Sequence, residues 1–257
     1  MSSYDWTSIA PPPSRCAAMA AETDVADGAD ELLVLDQSGL MLRMRSVSDP
    51  APVDGSRVNG LSKRVFDFTL ALVGIVFLLP LLAGVAILIK LTSPGPVFFR
   101  QQREGLGGRR FELYKFRSMR CEPGGLSAKG QAADEDQRIT PLGSFLRKTS
   151  MDELPQLINV FRGDMSLVGP RPHVPDMRVA GGLYQEVVPY YHLRANVRPG
   201  LTGWAQVNGL RGPIPEQRLA ADRINHDLAY IQNWSLALDC RILLRTLWRE
   251  FSGGTGS

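Results

Sequence analysis

VFDFTLALVGIVFLLPLLAGVAILI, residues Val65–Ile89, decides how the rest of this chain is read. The run holds one charge, Asp67, and one proline, Pro80. About 20 consecutive apolar residues make a membrane helix, and so long a run is rare inside a soluble domain of this size. A helical hairpin buried in a soluble core is the alternative. Lys63 and Arg64 directly precede the run, and Lys90, Arg100, Arg103, Arg109, Arg110, Lys115 and Arg117 follow it. Positive charge on both flanks suits neither orientation of a simple span, because one flank would have to cross. Pro80 removes a backbone hydrogen bond near the middle and can kink the helix. A re-entrant helix, broken near Pro80 and returning to the face it entered by, keeps both flanks cytoplasmic. A spanning helix is the competing topology.

The chain before this run is different in kind. Residues 1–62 carry four basic and nine acidic side chains, a net of −5, so the remainder carries 25 and 17, a net of +8. The basic part is the one expected near anionic headgroups or phosphates. Residues 1–30, rich in Ala, Pro, Ser and Asp, read as disordered, and they contain no apolar stretch of signal-peptide length. Glu31–Arg45 has the form of a hairpin, with Leu32–Leu35 apolar, Asp36-Gln37-Ser38-Gly39 as the turn, and Leu40, Leu42 and Met44 alternating. An isolated hairpin is marginal in water, so this one needs a partner surface. Asp49–Gly60 has linker composition. Cys16, Cys121 and Cys240 show neither a metal pair nor a disulfide framework.

Beyond the run, Thr92–Pro96 is a turn, and Val97–Gln101 and Arg110–Phe116 read as strands around the Gly105–Gly108 turn. Cys121–Asp136 is a polar loop. In SMDELPQLINVFRGDMSLVGPRP, starting at Ser150, Leu154, Leu157, Ile158 and Phe161 recur at helical spacing, and Gly163 stops the helix. Ser150 with Glu153 has the form of a capping box, which sets Asp152 and Glu153 at a helix amino terminus. The plain account of two acids there is the helix dipole, worth about 0.3–1 kcal/mol. The neighbourhood adds another: Arg147, Lys148 and Arg171 lie close in sequence, and carboxylates beside guanidinium groups suit a Mg²⁺–pyrophosphate site in which one carboxylate attacks phosphorus.

KRVFDFTLALVGIVFLLP, PGPVFFRQQREG, KFRSM, SMDELPQLINVFRGDMSLVGPRP and RPGLTGWAQVNG, followed by DLAYIQNWSLALD, together resemble the monotopic phosphoglycosyl transferases, or bacterial sugar transferases. The resemblance runs from about Ser62 to about Arg249. It implies a polyprenyl-phosphate sugar-1-phosphate transferase at the cytoplasmic face of a bacterial inner membrane. In that scheme Asp152 attacks the β-phosphate of a UDP-sugar, expels UMP and holds the phosphosugar, which then passes to a polyprenyl (undecaprenyl) phosphate. Such a reaction initiates exopolysaccharide or other glycoconjugate synthesis. The resemblance further implies Mg²⁺ held by Asp152 and Glu153, and phosphate or nucleotide binding by Lys115, Arg117, Arg147 and Arg171. It adds Asp227 as an acidic position near the active site, and Pro80 as the break of the membrane helix. Leu79 stands where the family often has Ser, which removes a hydroxyl able to satisfy a freed carbonyl.

The expectation is therefore an α+β, membrane-associated protein. It has an acidic extension (1–60), a re-entrant helix (61–91), a mostly helical catalytic domain with a small β-hairpin (92–250) and a flexible tail (251–257). Trp204, Trp234 and Trp248 read equally as interfacial anchors or core, and Leu236–Leu247 as a surface or core amphipathic helix. His173, His192 and His226 lack metal spacing, and no P-loop pattern is present. Sugar specificity is expected in Cys121–Asp136 or around Tyr184–Tyr191. A catalytically inactive membrane scaffold for polysaccharide assembly is the rival function. A nucleic-acid partner is not expected, since the net +8 comes with no recognised nucleic-acid motif.

Overall fold

The computed structural model describes residues 31–35, 41–45, 53–120, 138–212, 214 and 216–253. The expectations for residues 1–30, the 36–39 turn and the Cys121–Asp136 loop lie outside these. The described chain is an α+β fold of helices and short two-stranded sheets.

Helix α1, Leu61–Thr92, runs without interruption through Pro80. The expected break at that residue is therefore not a gap in the helix, and a bend there would lie within one continuous element. A proline deletes only its own N–H and crowds the preceding turn, so helical backbone can continue on both sides of it. Both halves of α1 dock onto the rest of the protein. Lys63, Asp67 and Ala71 are buried in the first half, Val85 and Ile89 in the second. Ala71 joins the main core with Leu157 and Val160, while Val85 and Ile89 form a smaller cluster with Phe116 and Leu146. Ile75, Leu78, Leu82 and Ala86 pack partly against the two clusters, while the opposite side of the helix is bare: Val73, Val76, Leu79, Ile87 and Leu91 are exposed, and Phe77 is 81% exposed. A core helix would hide such side chains, so the soluble-core alternative does not describe α1.

The first-half contact is polar. Lys63 Nζ lies 2.9 Å from both Asp67 Oδ1 and Asp239 Oδ2. Asp67 also accepts from Ser166 Oγ at 2.7 Å and from the Leu167 N–H at 3.2 Å. The lone acid of the apolar run is thus a docking residue.

Strands β1 (Glu31–Leu35) and β2 (Met41–Arg45) pair antiparallel and pack on helix α6 (Gln217–Gln232), with Leu42 in the main core. That helix supplies the surface the hairpin requires. Residues 53–60, read as linker, fold onto the same body. Val53 and Val58 are buried, and Asn59 donates to the Asn196 carbonyl at 2.8 Å. Gly55 is obligatory there, because a Cβ would stand 2.3 Å from that carbonyl oxygen.

Strands β3 (Phe98–Glu104) and β4 (Arg110–Phe116) form an antiparallel hairpin. Helix α2 (Pro141–Lys148) starts at Thr140, whose hydroxyl accepts from the Gly143 N–H, with proline at the tolerated first position. A single 3₁₀ turn, Met151–Glu153, precedes α3 (Gln156–Arg162), which ends at left-handed Gly163. Asn159 of α3 stitches the free edge of β4: its amide donates to the Glu112 carbonyl and accepts from the Tyr114 N–H. Strands β5 (Ser166–Val168) and β8 (Gly200–Thr202) pair in parallel, flanking the small hairpin β6 (Arg178–Val179) and β7 (Gly182–Leu183), the short helix α4 (Tyr184–Val187) and a 3₁₀ segment, Tyr191–Asn196. After α5 (Trp204–Val207) and α6, the last helix, α7 (Leu236–Gly253), extends into the expected tail.

Candidate active site

The carboxylate pair sits where three elements meet. The 3₁₀ turn carries Asp152 and Glu153, β4 brings Lys115, and the segment after β5 brings Arg171. The expected capping box is absent. Ser150 is left-handed (φ 52°) with no capping bond from its side chain, and α3 begins only at Gln156. The physical reason is that Glu153 has stronger partners. Lys115 Nζ lies 2.7 Å and Arg171 NH2 2.8 Å from Glu153 Oε1, and Arg211 NH2 lies 3.5 Å from Oε2. Charge-assisted bonds of this kind outweigh a cap to one N–H.

Asp152, also buried, has a looser environment, with Lys115 Nζ 3.9 Å from its Oδ2. The two acids are driven apart. Burial pushes the Asp152 carboxyl above the usual range against the pull of Lys115, with Glu153 adding to the rise. Burial would raise Glu153 as well, but Arg171, then Lys115 and Arg211, hold it well below. Adjacent acids split in this way can take different roles.

Arg147 lies on the last turn of α2 and acts electrostatically on Asp152. Lys115, Arg147, Arg171, Asp152 and Glu153 are therefore gathered as the sequence implied. Arg117 and Asp227 sit elsewhere. Arg117 NH1 and NH2 donate to the Pro94 and Ser93 carbonyls at 2.7 and 2.8 Å, pinning the turn that ends α1. Asp227 pairs with Arg194 Nε at 2.9 Å, and Arg194 NH2 donates to the Arg171 carbonyl at 2.6 Å. It reaches the Pro-Arg-Pro loop through one intermediary. Pro80 lies on α1, outside this cluster.

Sequence reading missed Arg211 and Arg103. Arg211 also meets Glu250 Oε1 at 3.3 Å. Its position just past the quoted RPGLTGWAQVNG motif was the available signal. Arg103 belongs to the basic part expected near headgroups or phosphates. It is in fact largely buried near Arg171, with NH1 on the Pro172 carbonyl; burial and then Arg171 lower it to about 10. His173 is buried beside the same loop. Tyr191 gives its one hydroxyl proton to Glu104 Oε2 at 2.9 Å, so His173 Nδ1, 3.1 Å from that hydroxyl, must carry a proton and donate. Nε2 is left as a buried lone pair without a partner among the described residues. Burial, then Arg194 and Arg223, hold the ring's pKa well below normal. Trp204 is buried, Trp234 donates to Asp239, and Trp248 is exposed, so the tryptophans divide between core and surface.

Among the described residues no group of three or more His, Cys, Asp or Glu side chains could hold a metal. Two adjacent carboxylates remain compatible with Mg²⁺, which is usually bound by one or two carboxylates with waters and substrate phosphates. Here the donors are of the right hard-oxygen type, and Arg171 NH1 and Arg211 approach Glu153 Oε2 only at 3.4 and 3.5 Å.

Residues 58–253 match the sequence model of the bacterial sugar transferase family. The UDP-glucose:undecaprenyl-phosphate glucose-1-phosphate transferase of Xanthomonas campestris pv. campestris is 48% identical over 197 residues, covering 77% of this chain and 40% of that protein. The exopolysaccharide production protein PSS of Rhizobium leguminosarum bv. phaseoli is 48% identical over 194 residues, 76% of this chain and 97% of that protein. A UDP-glucose:undecaprenyl-phosphate glucose-1-phosphate transferase of Caulobacter vibrioides is 49% identical over 187 residues, 73% and 68% of the two. The chain thus spans well under half of the Xanthomonas relative and nearly all of the Rhizobium one.

Proposed function

The chain belongs to the bacterial sugar transferase family, and on that premise we propose that it transfers a sugar-1-phosphate from a UDP-sugar to undecaprenyl phosphate, beginning exopolysaccharide or related glycoconjugate synthesis. The observation that carries this reading is the pair of buried, oppositely shifted carboxylates, Asp152 and Glu153, ringed by Lys115, Arg171 and Arg211. The names of the relatives agree with it.

An Asp152 oxygen attacks the β-phosphorus, and the bond from that phosphorus to the bridging oxygen breaks. UMP leaves with the bond's electron pair, and an aspartyl-phosphosugar remains. An oxygen of the lipid phosphate then attacks the same phosphorus and frees the Asp152 carboxylate. A buried carboxylate has shed water, which favours attack. Glu153 keeps Lys115, Arg171 and Arg211 converged, and these cations meet the charge developing on phosphate oxygens. Asp152 and Glu153 would hold Mg²⁺, which when bound neutralises diphosphate charge.

The membrane reading is re-entrant, at the cytoplasmic face of the inner membrane. It is supported by α1 docking both halves on one body while much of its apolar surface stays bare. Entry and exit by the same face satisfies the basic flanks as well.

The test is intact-mass analysis of detergent-purified protein given UDP-sugar without acceptor. A phosphosugar adduct and UMP release are expected, and both vanish in Asp152→Asn. Adduct persisting in that variant would remove Asp152 as nucleophile. An unmodified wild type across a panel of UDP-sugars would favour the scaffold.

A further inference from the structure

Among the described residues, six buried side-chain polar atoms without a hydrogen-bond partner fall on one stretch and the helix end packed against it. They are Trp204 Nε1, Gln206 Oε1, Asn208 Nδ2 and Oδ1, Arg211 Nε and Glu250 Oε2. Arg249 of α7 fastens the two parts, donating to the Gln206 and Val207 carbonyls at 3.3 and 2.7 Å. Arg211 joins them to the carboxylate pair, 3.3 Å from Glu250 Oε1 and 3.5 Å from Glu153 Oε2. Arg211 and Glu250 thereby adjoin the reacting centre, and the other open atoms lie on the stretch that carries Arg211.

Their chemistry is mixed: three are donors and three acceptors. Both amide atoms of Asn208 are open, so exchanging its oxygen and nitrogen changes nothing. On the Pro-Arg-Pro side the open atoms are the guanidinium Nε groups of Arg103 and Arg223 and the His173 Nε2 lone pair, a set that is cationic overall and suited to an anion. A buried polar group left open is costly, so each set implies a ligand of matching type. Phosphate oxygens only accept. A set that both gives and takes hydrogen bonds fits the hydroxyls of a sugar, each of which does the same.

We propose that Asn208, Glu250 and the Arg211 Nε–H form the wall that reads the hydroxyls of the transferred hexose. The proposal rests on the donor assignment above and places specificity away from both stretches expected from sequence. Of those, Tyr184 is buried with its hydroxyl on the Ala220 carbonyl.

The test compares UDP, UDP-glucose and UDP-galactose on full-length protein in detergent. Calorimetry in an Asp152→Asn background gives affinities without consuming the donor, and UMP release gives kcat/KM. The unmodified pocket is expected to bind at least one hexose-bearing nucleotide tighter than UDP. Asn208→Ala and Glu250→Gln should each remove about tenfold of that margin, the scale of a lost hydrogen bond. They should also change the glucose-to-galactose ratio of kcat/KM while leaving UDP affinity alone. Asn208→Asp, which keeps the volume, replaces Asn208→Ala if the latter fails to fold. Equal weakening of all three nucleotides, or no change in any, overturns the proposal. A wild type that releases no UMP from any donor defeats the transfer reading instead, and the affinity margin still decides the hexose wall.

Discussion

Lys63 and Asp239, from the first turns of α1 and α7, meet at 2.9 Å in the protein interior, each almost fully shielded from water. Tyr230 and Trp234 also donate to Asp239, at 2.8 and 3.2 Å. Breaking a buried ion pair by removing one partner costs about 3–5 kcal/mol. Lys63→Met is therefore expected to lower stability by that order. Burial raises the Asp239 pKa and Lys63 opposes the rise. A raised carboxyl favours the protonated folded form, so its contribution is present at low pH and lost as pH climbs through the folded pKa. The deficit of the variant should accordingly be larger at pH 8 than at pH 5, read by thermal unfolding in detergent.

The topology of α1 has its own test. With the natural cysteines replaced, single cysteines at Ser62 and Leu91 should both react with an impermeant thiol reagent from the cytoplasmic side only. Labelling of either position from the opposite side would establish a span.

Arg194 links Asp227 to the Arg171 carbonyl. Lysine in its place keeps the charge but loses the fork that makes both contacts at once. Arg194→Lys should reduce UMP release by about 10²-fold through a displaced Pro-Arg-Pro loop. Asp227→Asn, which leaves Arg194 buried without its counter-charge, should instead cost stability first. Comparing turnover with the melting temperature for the two variants separates these effects.

His173 should remain neutral through the working pH range. Its depressed pKa means the neutral ring stabilises the fold above the ordinary value of 6.5, a contribution lost only as pH falls through the lower folded value. Nitrogen-15 spectra of labelled protein should show the Nδ1–H tautomer and no titration between pH 8 and 6. An Nε2–H tautomer would contradict the hydrogen-bond assignment through Tyr191, and a charged ring at pH 6 would contradict the depressed pKa.

Much of the fold is local, and so legible in the chain. Arg110–Phe116 forms its strand as periodicity expects, and Gly163 ends α3 in the left-handed conformation glycine tolerates. The helix start was misread because Ser150 and Glu153 fit a capping pattern, yet Glu153 is drawn to Arg171 from beyond β5. The linker reading of residues 53–60 failed for a similar reason. Its polar composition says nothing of a groove beside Asn196 that admits only Gly55.

Sequence by itself determined the apolar run, the carboxylate pair and the family, because periodicity, composition and ordered motifs are properties of neighbours along the chain. Tertiary structure decided that Asp67 anchors a helix, that Arg117 pins a turn while Arg211 joins the carboxylates, and that Asp227 acts through Arg194. Those roles depend on which distant groups share a buried space, where an unpartnered charge is costly and partners are set by distance in three dimensions.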